Sequence, residues 1–139
     1  MARIGSANAV LVLVASVLVT GCGDGFTYVP VKGKVTMNKE PITGGTVVFV
    51  PTGENKLRVN ASGKLNTDGT YELNTQGKAG VPIGSYVACI QPQMRRTPGQ
   101  EAPPRRFSDK YINADDNPLK IEVVANPAAG AYDLVVTRD

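Results

Sequence analysis

Five cations crowd into 16 residues: Arg95, Arg96, Arg105, Arg106 and Lys110, opposed only by Glu101 and Asp109. Guanidinium forks pair with phosphate and carboxylate oxygens, two hydrogen bonds at a time, so this cluster suits an anion such as a lipid headgroup or an acidic polysaccharide. Pro92, Pro98, Pro103 and Pro104 punctuate the same stretch and favour an extended backbone. The stretch is therefore expected to be a long exposed Pro/Arg loop, either an anion-binding element or a plain solvated spacer.

The other reactive side chains are sparse. The chain has no histidine, which removes the commonest general base, the commonest metal ligand and every Ser–His–Asp or Cys–His arrangement. Asp115-Asp116 is the only adjacent acidic pair; strand neighbours point to opposite faces, so a solvated turn before Pro118 is expected rather than an acid–base pair. Asn66, Asp68, Asp115 and Asp116 offer oxygen ligands, but calcium needs six or more and no EF-hand spacing occurs, so no metal and no cofactor are expected. Cys89 reads as a small buried apolar residue, or else as a thiol available for a bond between chains. Five tyrosines and no tryptophan could form a sugar-stacking surface, although Tyr71, Tyr86 and Tyr132 fall at strand positions that suit packing.

The elements that must carry these residues read as strands. Gly (15) and Pro (10) alternate with β-branched runs, and no window shows a capped helical period. Seven stretches qualify: 28–37, 46–50, 57–65, 70–73, 86–91, 119–124 and 131–137. The continuous apolar run Thr46–Val50 suggests a strand covered on both faces. Lys39-Glu40-Pro41 and Asp68-Gly69 mark turns, the latter as a tight hairpin between Leu65 and Tyr71. Seven short strands with frequent turns imply an all-β, two-sheet sandwich. The net charge of +3 is too small to suggest nucleic acid as a partner.

Residues 1–21 look like a removable leader. Arg3 supplies a positive start, and Ala7–Val19 is apolar apart from Asn8 and Ser16, too short for a membrane span. The close, Leu18-Val19-Thr20-Gly21-Cys22, resembles the lipobox of bacterial lipoproteins. That resemblance implies a signal peptide over 1–21, a diacylglycerol thioether on Cys22, and acylation of the new amino end. With about 0.8 kcal/mol per buried methylene, two or more acyl chains hold a protein at a membrane stably. Residues 22–27 would form the lipidated N-terminus and spacer, and 28–139 the sandwich domain. Gly23, where an Asp would signal inner-membrane retention in enteric-type bacteria, favours the outer membrane or cell surface.

Further motifs follow in order. Val31-Lys-Gly-Lys-Val35, Lys39-Glu-Pro-Ile42, Gly45-Thr-Val-Val-Phe-Val-Pro51, Asn66-Thr-Asp-Gly-Thr-Tyr-Glu-Leu73 and Gly84-Ser-Tyr-Val-Ala-Cys-Ile90 together resemble carboxypeptidase regulatory-like domains. Lys110-Tyr111 and Asn117-Pro-Leu-Lys120 are similar to the C-terminal part of small lipoproteins carrying such a domain. The resemblance covers most of 28–137 and implies a seven-stranded, transthyretin-like or Ig-like sandwich. It implies no activity, because in metallocarboxypeptidases the module is an accessory. The combined expectation is a non-enzymatic, lipid-anchored module for interaction or structure at the cell envelope. Its partners would be the membrane and an anionic envelope polymer or another envelope protein. A glycan-binding module is the alternative, and a carboxylate-only enzyme a remote one.

Overall fold

The structure is a computed structural model that describes residues 25–93, 98–99 and 107–138. Among the described residues the chain is a β-sandwich with no α-helix. Its strands are β1 (Tyr28–Val29), β2 (Lys32–Met37), β3 (Glu40–Pro41), β4 (Thr46–Pro51), β5 (Ala61–Lys64) and β6 (Thr70–Glu72). They continue with β7 (Asn74–Thr75), β8 (Lys78–Ala79), β9 (Val81–Pro82), β10 (Gly84–Gln91), β11 (Lys120–Val123) and β12 (Leu134–Val136). A single 3-10 turn, Asp109–Tyr111, precedes β11.

One sheet runs β11-β10-β4-β5-β7-β8. The other is built on β2, with β12 on one edge and β3 and β6 on the opposite edge. β12 lies parallel to β2, Leu134 opposite Val35, so the two last strands do not pair with each other: β11 pairs antiparallel with β10. Continuous chain from Thr70 to Thr75 serves both sheets. Its first half bonds β2, and its second half bonds β5 through Ser62 and Asn74.

Each of the seven stretches expected from sequence contains a strand. The first is divided at Pro30-Val31, where β1 leaves to pair with β9. The two-residue strands β3, β7, β8 and β9 fall outside the expected stretches; they are too short to show a period. Two turns differ from expectation. The chain reverses at Asn38-Lys39, both at positive φ (52° and 67°), so Met37 faces Glu40 across a two-residue hairpin. Asn66–Gly69 is a tight turn, with the Gly69 amide bonded to Asn66 O, but it carries the chain from β5 in one sheet to β6 in the other.

Alternation sorts the side chains. Val47 and Phe49 of β4, Tyr86, Ala88 and Ile90 of β10, and Val123 of β11 point inward. They meet Val35, Tyr71, Leu134 and Val136 from the opposing layer. The Phe49 ring packs edge-on against Tyr71, centroids 6.4 Å apart, and lies 6.0 Å from Tyr86. The outer face of β4 and β10 is also covered: Val48, Val87 and Cys89 form a second apolar cluster with Val50 and Ala114. The middle of the Thr46–Val50 run is thus buried on both sides.

Close approach explains one glycine. Gly33 faces Tyr71 across the ladder, and a Cβ there would sit 2.2 Å from Tyr132 O and 2.8 Å from the Tyr71 hydroxyl. That hydroxyl donates to Tyr132 O, tying β6 to the approach to β12. Burial pushes the Tyr71 phenol up, helped by the negative charge of Asp133 and the neighbouring Tyr132.

Candidate functional site

β10 gives the molecule two ends. At its C-terminal end, Gly44-Gly45-Thr46 at the entry to β4, Lys64-Leu65 at the exit of β5 and Gln91-Pro92-Gln93 enclose an open polar groove of about 330 Å³. Leu65 N donates to Gly45 O at 3.0 Å, which locks the two walls together. Gly45 sits at φ 111°, and a Cβ there would come 2.4 Å from Gln91 O, so only glycine lets the wall close on β10. Lys64, Gln91 and Gln93 are exposed. They offer one cation and two carboxamides to an oxygen-rich ligand.

The Pro/Arg segment leaves the sandwich at this end, directly after Gln91. It returns at Phe107, which is buried against Tyr111, ring centroids 6.4 Å apart. Ser108 N donates to Thr137 O at 3.0 Å, fixing the return beside the end of β12. Arg95, Arg96, Arg105 and Arg106 lie outside the described residues, as does Cys22. Lys110 is described. It is exposed in the 3-10 turn, with Nζ 5.1 Å from the Tyr111 ring centroid, and it does not line the groove.

The other end of β10 carries a smaller groove of about 230 Å³. Phe26, Leu57, Pro82, Ile83 and Tyr86 supply apolar walls, and Glu54 and Lys56 are also on its lining. Asn55 closes it by clamping Ser85. Its Oδ1 accepts from Ser85 N at 2.8 Å, and its Nδ2 donates to Ser85 O at 2.7 Å, as a strand backbone would.

The remaining sequence candidates have structural partners. Asp68 Oδ1 accepts from the Thr70 hydroxyl at 2.6 Å and from Thr70 N at 3.0 Å, and these bonds hold its carboxyl below the usual range. Asp115 and Asp116 are exposed on the turn after the 3-10 element, and neither lines a groove. Among the described residues no group of three His, Cys, Asp or Glu could hold a metal ion. Tyr71, Tyr86, Tyr111 and Tyr132 are buried, so a sugar-stacking surface of several tyrosines is not available; only Tyr28 is part-exposed, with Lys78 Nζ 5.1 Å from its ring centroid. Cys89 is 2% exposed and unbonded to another sulfur. Burial pushes its thiol up, and the Asn117 carboxamide partly offsets this. It packs as an apolar side chain and does not present a thiol to a second chain.

Asn117 carries a role that sequence reasoning passed over as part of a turn. Its side chain is buried; Nδ2 donates to Ala88 O at 2.8 Å and Asn113 O at 3.0 Å, while Oδ1 accepts from Leu119 N at 2.9 Å. Ala88 N donates to Leu119 O at 2.8 Å, and the carboxamide bridges the return path from Leu119 N to Ala88 O, which extends the β11–β10 ladder past Val87.

Comparison with family models, characterised proteins and solved structures finds no match for this chain.

Proposed function

We propose that this chain is an exported bacterial lipoprotein of the cell envelope, held at the outer membrane or cell surface by acyl chains on Cys22, which binds rather than catalyses. The bound partner is an anionic envelope polymer met by Arg95, Arg96, Arg105 and Arg106. The sandwich is read as the transthyretin-like kind of carboxypeptidase regulatory-like domains. Supporting that reading, the quoted motifs fall on β2, the β2–β3 hairpin, β4, the turn into β6, and β10, in the expected order.

One observation carries the functional reading. The N-terminal strand β1 pairs beside the start of β10, and the cationic segment departs from its end. Eight residues of extended strand separate the two, roughly 23 Å at about 3.3 Å per residue. The described chain therefore begins near one end of β10, and the last described residues before the cationic segment lie at the other, which supports a reading in which anchor and polymer are met at different ends. The absence of histidine, and Glu54 as the single carboxylate among the residues lining the two grooves, support binding over catalysis.

Two variants test this. Cys22→Ser should abolish incorporation of radiolabelled palmitate and move the protein to the soluble fraction; a labelled, membrane-bound Cys22→Ser protein contradicts the anchor. Replacing Arg95, Arg96, Arg105 and Arg106 by Ala should reduce retention on an immobilised acidic polysaccharide and lower its salt dependence. Unchanged retention contradicts the polymer reading.

A further inference from the structure

We infer that the N-terminal end of the sandwich seats directly on the bilayer, with Ile83 and Val124 entering the interfacial layer. This rests on the lipid-anchor reading and goes beyond it, because a tether alone would leave the domain free to tumble.

Three large apolar side chains are notably exposed among the described residues: Val135, Ile83 at 45% and Val124 at 40%. Ile83 and Val124 are neighbours. Gly84 pairs with Val123 at the last step of the β10–β11 ladder, so Ile83 and Val124 flank each other one residue beyond it. Ile83 N donates to Thr27 O at 3.2 Å, which brings the N-terminal segment alongside. Phe26 and Leu57, both half-buried, continue the apolar surface through the shared groove.

The chain says what covers this patch. Cys22 is three residues before Gly25, so its Cα lies within about 11 Å of the described chain. That reach keeps acyl chains on Cys22 near the end of the sandwich where Thr27 meets Ile83. An exposed apolar patch of this kind marks an interaction surface, and here the nearest apolar phase is the one the anchor occupies. The polar boundary sets the depth. One residue further along the ladder, Ser85 Oγ bonds Glu122 at 2.7 Å, and Glu54 and Lys56 flank the groove. Insertion therefore stops at the first row, with those charges among the headgroups.

The test uses the acylated protein in phosphatidylcholine vesicles that contain a shallow nitroxide lipid. An environment-sensitive fluorophore is placed on Ile83→Cys, on Val124→Cys, or on Thr43→Cys at the opposite end, with buried Cys89 left unlabelled. Flotation of vesicles confirms attachment before quenching is read. The expected result is a blue-shifted emission and about threefold more quenching at 83 and 124 than at 43, as side chains a few ångströms into the interface require. Protein that floats but shows equal, weak quenching at all three positions overturns the docking and leaves the anchor standing. Blue-shifted but unquenched emission at 83 and 124 overturns it in favour of a second copy on the patch. Protein that does not float overturns the anchor and the docking with it.

Discussion

Replacing Asn117 by Ala removes a side chain that finishes a β-ladder. Its three shortest bonds go with it, to Ala88 O at 2.8 Å, to Asn113 O at 3.0 Å and from Leu119 N at 2.9 Å, together with longer contacts to Tyr111 O and Cys89 Sγ. The Ala88 carbonyl lies in buried surroundings and would be left without a donor, costing about 2 kcal/mol. The other two groups are part-buried and can turn to water, so each loses about 0.5 kcal/mol. The total is about 3 kcal/mol, which for a urea dependence of roughly 1.5 kcal/mol/M lowers the unfolding midpoint by about 2 M. Urea titration followed by far-ultraviolet circular dichroism measures it. A midpoint lowered by less than about 0.5 M at an unchanged slope would refute the ladder-extension reasoning. Asn117→Asp sharpens the test. A buried carboxylate facing carbonyl oxygens must have a raised pKa, so this variant should be more stable in acid and lose stability as pH rises.

Other perturbations probe the packing. Gly33→Ala forces a methyl into Tyr132 O and the Tyr71 hydroxyl and should lower stability by about 3 kcal/mol. Gly53→Ala, which meets nothing within 4 Å, is the control, and equal urea midpoints for the two variants would contradict the close approach. Lys39→Gly relieves a side chain held at φ 67° and should stabilise by about 0.5–1 kcal/mol, seen as a higher melting temperature. The Cys89 thiol should ignore a disulfide reagent in the native protein at mildly alkaline pH and react fully in denaturant; rapid native reaction would contradict its burial. Tyr71, with its phenol raised by burial, contributes stability that is present below the ordinary tyrosine range and lost as pH rises above it. Its absorbance at alkaline pH should therefore change only with unfolding, and a reversible native titration near the ordinary value would contradict this.

The strands were legible where alternation runs for four residues or more. Val47 and Phe49 opposite Val48, and Tyr86, Ala88 and Ile90 opposite Val87 and Cys89, follow from period two alone. Partnership was not legible. Residues 120–123 and 134–136 look like a closing pair, yet which sheet each joins depends on the path of 124–133 around the sandwich. The Asn38-Lys39 hairpin escaped notice because Lys39 is a poor residue for positive φ; tertiary pairing of β3 with β2 overrides its preference. Asp68-Gly69 was correctly a turn, since Gly69 adopts φ 80°, but nothing local indicates that it crosses between layers. Asn117 beside Pro118 has the composition of an exposed turn. Its burial follows only from how 107–119 wraps the edge of β10. At the candidate site, Lys64, Gln91 and Gln93 were invisible because residues far apart in sequence assemble the polar groove.

The proposed function depends first on the chemistry of the N-terminus. Intact-mass and peptide mass spectrometry of the protein extracted from its native membranes tests it most directly. The account requires a chain that starts at Cys22 and carries diacylglycerol, with or without a further amide-linked acyl group. A chain that keeps residues 1–21, or an unmodified Cys22 in the membrane fraction, would contradict it.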